Sequence, residues 1–208
     1  MVYPRRFRRC LPLLAALFLA AATLLAGAGG RAEESSSLAG QLLIAAPTMG
    51  DPRFIHSVIL LIHHDASGAF GIILNRPTEE RTIEGLLDAA GDHENGVEGS
   101  LQVFVGGPVQ PELGFVVHSS DYRDAATLTV GSAVAMTADK QILRDIGHHK
   151  GPKKVLFAFG YSGWGPGQLE GEIARHDWFT ATGDPKLIFD DERGNLWDDA
   201  MARRTREL

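Results

Sequence analysis

Residues 155–178 read VLFAFGYSGWGPGQLEGEIARHDW, a stretch in which a strand, a glycine-rich loop and a helix follow one another directly. Val155–Phe159 is rich in β-branched and aromatic residues, which predicts a strand. Gln168–His176 has the apolar spacing of a helix. Four glycines separate the two elements: Gly160, Gly163, Gly165 and Gly167. Glycine permits positive φ and close backbone approach, and helix starts present free N–H groups to anions, so the loop predicts a structural turn or an anion site.

The spacing of these glycines favours the structural turn. It matches neither the phosphate-binding loop nor the dinucleotide fingerprint, and no lysine follows the glycines. Glu170 and Glu172 lie in the first turns of the predicted helix, where they would repel a phosphate. Residues 160–163 (GYSG) resemble part of a nucleophile elbow, but Trp164 stands where that motif needs glycine. We therefore assign no catalytic role to Ser162.

Short apolar or β-branched runs alternate with turn residues along the rest of the chain. Further strands are predicted at 41–46, 57–63, 70–74, 101–105, 114–118 and 187–189, with a hairpin over 127–136. Further helices are predicted at 82–90, 138–146 and 195–204, and the polar segment 91–100 is predicted to be a surface loop. Strands and helices do not alternate strictly and no linker divides the chain, so we expect one α+β domain over residues 33–208.

The N-terminal segment predicts a secretory signal peptide over residues 1–32. It holds five arginines and no acidic residue, with the apolar run LPLLAALFLAAATLLAGAGG between Arg9 and Arg31. A basic region, an apolar region and a small-residue cleavage site make up a signal peptide. Cleavage fits after Ala28 or after Ala32, and we favour Ala32. The alternative is an uncleaved inner-membrane anchor formed by residues 11–28, because the apolar run reaches the lower limit of a bilayer span, about 17 residues.

Cleavage after Ala32 would leave a strongly acidic chain. Lys plus Arg falls from 20 to 15 while all 26 acidic residues remain, so the formal net charge moves from −6 to −11. The single cysteine, Cys10, would be lost, which excludes thiol catalysis and disulfides in the exported form. Such a charge repels phosphate backbones and no basic stripe is present, so direct nucleic-acid binding is not expected. We expect a periplasmic or secreted protein without a membrane contact.

Polar residues at predicted strand ends and turns form a second group of candidates. They are Asp51, His64, Asn75 and His118. His118 could meet His64 if their two strands pair, which would suit a small-ligand enzyme or a hydrolase. The eight histidines show no H-x-H or H-x-x-x-H spacing, so we predict neither a metal site nor a cofactor.

The larger aromatic residues near the glycine-rich loop allow two interpretations. They are Trp164, Trp178, Trp197, Tyr161 and Phe179. One interpretation places them in or near the core. The other places them in a groove for a partner, since Trp and Tyr are favoured at binding hot spots.

Four ordered motifs make the chain similar to the YqgE/AlgH family, a group of bacterial proteins of largely unestablished function. The resemblance spans roughly residues 38–200. It rests on GQLLIAAP followed by MGDPRFIHSVILLIHHDASGAFGIILNRP, then VFVGGPVQPELGFVVH, then FAFGYSGWGPGQLEGEIARHDW. It implies a mixed sheet curled toward a pseudo-barrel with flanking helices. Two features depart from the family pattern: His176 stands where an Asn is usual, and typical members lack a leader.

The leading hypothesis is an exported, non-enzymatic binding or regulatory module for an unknown protein or small molecule. Its contact surface is expected around the glycine-rich loop, at Gly163, Trp164, Gly165, Gly167, Gln168 and Glu170. Glycines and aromatics are concentrated there without a matching nucleophile, base or metal-ligand set. The rival hypothesis is the small-ligand enzyme at the four polar candidates. A third is a transcriptional regulator, a label that some relatives carry, and the resemblance supplies no catalytic residues.

Overall fold

The chain folds as a ten-stranded mixed sheet with short helices on both faces. The computed structural model describes residues 37–190 and 193–205, and the predicted leader with its cleavage sites lies outside them. The strands are β1 (Gln41–Ala45), β2 (Val58–Asp65), β3 (Gly68–Ile73), β4 (Pro77–Thr82), β5 (Ser100–Val105), β6 (Val109–Ser119), β7 (Thr127–Val130), β8 (Val134–Thr137), β9 (Val155–Trp164) and β10 (Trp178–Thr182). The helices are α1 (Ile83–Ala89), α2 (Gln141–Gly147), α3 (Gln168–Ala174), α4 (Pro185–Ile188) and α5 (Leu196–Ala202), with a 3-10 turn at Arg193–Asn195.

Strand β9 joins the two halves of the sheet. The strand order is β10-β1-β2-β3-β9-β6-β8-β7, and β5 with its partner β4 forms a branch on β9. Every pairing is antiparallel except that of β5 with β9. Before Gly160, β9 pairs with β5 and β6; after it, Tyr161 pairs with Val109 of β6, and residues 162–164 pair with β3. Gly160 has a φ of +72°, a left-handed conformation that glycine adopts without steric cost, so the strand can bend between its two sets of partners.

The curl of the sheet creates three apolar layers. One face of the curled sheet packs its side chains against α4 and α5. The opposite face is covered by α3 over β1, β2 and β3, and by α1 and α2 over β5, β6 and β9. This arrangement confirms the expected single α+β domain with a curled mixed sheet. In the part of the chain that the structure describes, no helix is long and apolar enough to span a membrane.

Most predicted elements are confirmed within a few residues of their ends. Helix α1 begins after Thr82, whose hydroxyl accepts a hydrogen bond from the backbone N–H of Gly85 as an N-cap. The hairpin predicted around Gly131 is formed by β7 and β8. The glycine-rich loop is shorter than predicted, because β9 continues through Trp164.

The prediction of a strand at 187–189 is wrong. Pro185 occupies the first turn of α4, and the carboxylate of Asp184 accepts a hydrogen bond from the backbone N–H of Lys186. An Asp N-cap followed by a proline favours the start of a helix, even when the residues that follow are as apolar as those of a strand. Two strands were not predicted: β4, whose six residues are all exposed, and β10, which directly follows α3.

A glycine pair carries the chain across β9. Strands β5 and β6 both pair with residues 157–159, so they lie on opposite sides of β9, and Gly106-Gly107 must cross it. A Cβ atom on Gly106 would lie 2.3 Å from the carbonyl oxygen of Gly160. One on Gly107 would lie 2.1 Å from the carbonyl carbon of Tyr161, so only glycine permits this crossing. The crossing brings the first residues of β6 beside the second half of β9.

Candidate functional site

Three segments that are distant in the sequence meet at one cleft of about 370 Å³. They are the turn after β1, the start of β6 after the glycine crossing, and the connection from β9 into α3 and on to β10. The lining residues are Met49, Gly50, Asp51, Arg53, Phe54, Pro108, Val109, Gly163, Trp164, Gln168, Glu172, Arg175, Asp177 and Trp178. We call this hollow the tryptophan cleft. Its volume is in the range of small-molecule and peptide-side-chain sites.

Glu172 fixes both tryptophans of the cleft. Its Oε2 atom accepts a hydrogen bond from the indole N–H of Trp164 and another from that of Trp178, each 2.8 Å long. Its Oε1 atom accepts a third from the side-chain amide of Gln168 at 2.9 Å. The two indole rings stand nearly perpendicular, with centroids 5.9 Å apart. Both rings are buried, so the interpretation of Trp164 and Trp178 as core aromatics is correct. The small exposed part of each ring forms part of the cleft wall.

Two arginines stand at the rim of the tryptophan cleft, each paired with a nearby carboxylate. Arg53 binds Asp51 through Nε and Nη2, and its N–H donors hold the pKa of that carboxyl below its ordinary value. Arg175 donates from Nη2 to Asp177 at 3.0 Å. Both arginine side chains are 64% exposed. Some guanidinium nitrogens at the rim have no hydrogen-bond acceptor among the described residues: Nη1 of Arg53, and Nε and Nη1 of Arg175. Their N–H groups are therefore available to a ligand.

An open aromatic surface adjoins the cleft. Phe70 and Tyr161 contact each other with ring centroids 4.9 Å apart, and together with Val109 they line a shallow hollow of about 580 Å³. We call this surface the aromatic shelf. It shares Val109, Gly163 and Trp164 with the tryptophan cleft. The two hollows therefore adjoin each other at the end of β9.

His64 lies beneath α3, outside the cleft, and both of its ring nitrogens are engaged. The backbone N–H of Leu38 donates to Nδ1 at 3.0 Å, so Nδ1 carries no proton. Nε2 therefore carries the proton and donates to Oε1 of Glu170 at 2.9 Å. A backbone N–H and this imidazole hold the pKa of Glu170 below its ordinary value. His64 is 4% exposed, and its role here is to fasten residues 37–38 and α3 to β2.

His118 is also buried with both ring nitrogens engaged. Nδ1 donates to the carbonyl oxygen of Ser119 at 2.9 Å, and Nε2 accepts from the hydroxyl of Thr137 at 3.0 Å in the neutral ring. Burial is the main cause that lowers the pKa of His118. No nitrogen of His64 or His118 is left to act on a substrate.

The strands of His64 and His118 do not pair, so these two residues do not meet. Strands β3 and β9 stand between β2 and β6 in the sheet. Along β9, His64 is level with Trp164 and His118 is level with Val155, which are nine residues apart along the strand. The condition under which His118 could meet His64 is therefore not fulfilled.

The remaining polar candidates lie in separate places. Asn75 clamps the turn before β2, accepting from the N–H of Val58 and donating to the carbonyl of His56. Asp51 alone of the four lines the tryptophan cleft, together with Gly163, Trp164 and Gln168 of the predicted contact surface.

The other predicted loop residues lie next to the cleft. Gly165 and Gly167 are exposed in the turn that starts α3, Gly167 with a φ of +71°, and Glu170 is turned toward His64. Ser162 is fully buried with its hydroxyl directed at the carbonyl of Gly106, so the sequence argument against a nucleophile agrees with its position.

Three residues central to the cleft were not singled out as site residues from the sequence: Arg53, Glu172 and Arg175. Arg53 lies in the quoted motif MGDPRF, but nothing in that motif shows that it faces α3. Glu172 was considered only as a charge that would repel phosphate. Within residues 37–190 and 193–205, no three His, Cys, Asp or Glu side chains are grouped so as to hold a metal ion.

The architecture of this protein is a curled mixed sheet covered by short helices. A glycine pair crosses the sheet, and the tryptophan cleft lies beside that crossing. The family model described as AlgH-like matches residues 42–208, and the chain belongs to this family. This finding confirms the resemblance drawn from the four motifs.

Two curated relatives, each called a UPF0301 protein, are similar over most of their length. One, from Novosphingobium aromaticivorans, is 42% identical over 170 residues, covering 82% of this chain and 91% of the relative. The other, from Jannaschia sp., is 46% identical over 166 residues, covering 79% and 86%. Neither name states an activity.

Two solved structures share the fold. The solution structure of the AlgH protein from Pseudomonas aeruginosa has a TM-score of 0.70 and 34% identity, covering 81% of this chain and 89% of AlgH. The crystal structure of a Corynebacterium diphtheriae protein has a TM-score of 0.63 and 23% identity, covering 80% and 87%. At that identity, the second likeness concerns the fold alone.

Proposed function

We propose that this chain is a non-enzymatic binding module that takes its ligand in the tryptophan cleft, and that it acts outside the cytoplasm after loss of residues 1–32. One observation carries the proposal: the turn after β1, the glycine crossing and the start of α3 converge on a single hollow. Concave sites with rigid aromatic walls and a few polar groups are the usual form of binding sites.

The chemistry of the cleft supports binding more than catalysis. Glu172 accepts three hydrogen bonds, and Asp51 and Asp177 each accept from a neighbouring arginine. A general base needs a free lone pair within reach of its substrate. The cleft offers instead the unused N–H donors of Arg53 and Arg175, which suit a ligand rich in acceptors, such as a carboxylate.

Another hollow, of about 490 Å³, lies between β6, α1 and α2 and supports the proposal less well. Its lining is mainly apolar, and at its rim Lys140 is already paired with Asp92. No tryptophan lines it, so it lacks the rigid indole walls of the tryptophan cleft.

Photo-crosslinking from the rim tests the binding proposal. Gln168 is exposed and is the first residue of α3, with its amide bonded four residues on to Glu172. Gln141 is its match, since it is exposed, is the first residue of α2 and bonds Asp145 in the same way. A photoreactive amino acid replaces each in turn in the native bacterium, and the recovered protein is weighed intact after illumination.

A defined added mass at position 168 and none at position 141 is expected. No adduct at 168, or equal adducts at both positions, would refute a binding role for the tryptophan cleft. Mass analysis detects small and large ligands alike, so the outcome does not depend on the size of the partner.

Export has its own test. The N-terminal mass of the protein recovered from the periplasm should correspond to a first residue of Glu33, or of Gly29 if cleavage follows Ala28. An intact Met1 in the membrane fraction would indicate an anchor instead. An intact cytosolic form would refute export and return attention to an intracellular regulator.

A further inference from the structure

We propose that the hollow between β6, α1 and α2 is a second binding site, for a small organic molecule with an apolar body and a cationic end. The hollow measures about 490 Å³, which is in the range of small-molecule sites. We call it the α1–α2 hollow. None of its lining residues lines the tryptophan cleft, so the inference goes beyond the proposed function and can fail independently of it.

Short residues leave this hollow open in an apolar layer that is filled elsewhere. On the same face, the larger apolar side chains of α1 and α2 are buried against β5, β6 and β9. At the hollow, α1 ends in Ala89 and Ala90, and Gly114 of β6 has no side chain. A Cβ atom on Gly114 would lie 2.8 Å from Cζ of Phe157 and 3.7 Å from Cε1 of Phe159. The bare backbone of Gly114 therefore leaves the space beside both rings unfilled.

The interior of the α1–α2 hollow is apolar and aromatic. Leu86 and Leu143 line it together with Phe157 and Phe159, whose rings form an edge-to-face pair with centroids 5.1 Å apart. Leu113, which is 42% exposed, extends the apolar lining to the mouth. Removing apolar surface from water favours binding of an apolar body here. Phenyl rings also attract a cation that lies close to their faces.

The charges at the rim of the hollow favour a cation. Three charged residues line the hollow: Glu112, Asp139 and Lys140. Lys140 forms an ion pair with Asp92 at 3.2 Å, and Oδ1 of Asp139 accepts from the backbone N–H of Gln141 at 2.8 Å. Glu112 is exposed and has no hydrogen-bond or ion-pair partner within the described residues. Two carboxylates against one ammonium that is already paired attract a cation to the mouth and repel an anion.

An irregularity in β6 places Glu112 at the mouth. The pairing of β6 with β9 is interrupted over residues 110–113, which are all exposed. One further cation, Arg81, lies 5.8 Å from the ring of Phe159, but it is bonded to Glu79 and does not line the hollow. A ligand would therefore insert its apolar body between the helices and leave its cationic end hydrated beside Glu112.

Three probes that share one apolar body test the inference on the full-length protein at neutral pH. They are phenylpropylammonium, the uncharged phenylpropanol and phenylpropanoate, each with its functional group at the chain end. Methyl resonances of Leu86 and Leu143, which line the hollow, are followed by NMR during titration, and those of Leu43, buried in the layer under α3, serve as the reference. Ala89→Leu fills the hollow from the exposed end of α1, and Ala174→Leu is its match at the exposed end of α3.

We expect phenylpropylammonium to shift the two lining methyl resonances with a Kd on the order of 1 mM, as the small size of the probe allows. It should bind about tenfold more tightly than phenylpropanoate, with phenylpropanol between them, because the rim attracts one charge and repels the other. Ala89→Leu should weaken binding by at least about tenfold, because its side chain takes the space of the ligand, and Ala174→Leu should bind like the unchanged protein. Glu112→Gln should reduce the preference for the cation to about threefold. Glu84→Gln, at an exposed glutamate outside the lining, should leave that preference intact.

The second site is overturned if the cation leaves the resonances of Leu86 and Leu143 unshifted at about 10 mM, or if Ala89→Leu binds it as tightly as the unchanged protein does. Equal affinities for the cation and the anion would refute the cationic end of the ligand. The crosslinking test of the tryptophan cleft stays separate, because Gln141 does not line the α1–α2 hollow and its side chain is bonded to Arg144 and Asp145. Failure of the second site would leave the proposed function standing.

Discussion

Replacing Glu172 by alanine should be among the most destabilising changes of a half-buried residue in this fold. The carboxylate accepts from the indoles of Trp164 and Trp178, which are only 7% and 2% exposed. Hydrogen bonds to a charged group contribute about 1.5–3 kcal/mol each, and a buried donor without a partner costs a similar amount. Losing both bonds gives about 3–6 kcal/mol. Water entering the open cleft would recover part of this, so we expect a loss of about 3 kcal/mol in the free energy of unfolding.

Urea unfolding followed by far-ultraviolet circular dichroism measures this loss without depending on tryptophan emission. Glu172→Gln keeps one oxygen for the indoles and should lose about 1 kcal/mol. Glu84→Ala is the control, since Glu84 is an exposed acidic residue in the first turn of α1, away from both tryptophans. The indole N–H resonances of both tryptophans should move in Glu172→Ala alone. A loss below about 1 kcal/mol with unmoved indole resonances would refute the assignment of Glu172 as the anchor of the cleft.

Three further changes test the architecture around the site. His64→Ala removes the acceptor for the backbone N–H of Leu38 and should speed hydrogen exchange of that amide by at least about tenfold. His63→Ala is the control and should leave it unchanged, because the His63 side chain is 58% exposed. Burial lowers the pKa of His118 from 6.5, so the stability contributed by the neutral ring is complete above pH 6.5 and is lost as the pH falls below that value. The urea midpoint should therefore drop on acidification, and the drop should be smaller in His118→Gln. Gly107→Ala should prevent folding because its Cβ would lie 2.1 Å from a backbone carbon of β9. Gly91→Ala, at a φ of +70° with open space around it, should cost only about 1 kcal/mol by thermal unfolding.

Helices and strands can be predicted from the sequence wherever the local signals agree with the pairing of strands in the folded protein. Thr82 caps a helix in the structure as its position before an apolar periodic run predicts. Strand β4 could not be predicted, because all six of its residues are exposed and its pairing with β5 alone makes it a strand. Leu187–Phe189 shows the opposite error, since an apolar triplet was given more weight than the Asp-Pro start that precedes it.

The site is less accessible to sequence reasoning than the fold. The contact surface around Trp164 includes residues that line the cleft, but its opposite wall comes from the turn after β1, which only the long-range pairing of β1 with β10 brings close. The role of Glu172 depends on two indoles, one before α3 and one after it, turning toward the same carboxylate. No spacing rule encodes that geometry. Whether His118 could meet His64 depended on their strands pairing, and the strand order, which no spacing rule encodes, keeps those strands apart.

The residues that build the cleft and those that would select its ligand are different, and this decides which variants can report on function. Gly106 and Gly107 bring the start of β6 to the cleft, but any side chain there collides with β9 itself. A loss of binding in such a variant would report only a loss of fold. Arg53, Gln168 and Arg175 are exposed at the rim, and each is bonded to a neighbour at most four residues away. Exposed local pairs contribute about 0–1 kcal/mol to stability, so their replacement leaves the scaffold intact and isolates the contribution of the rim to recognition.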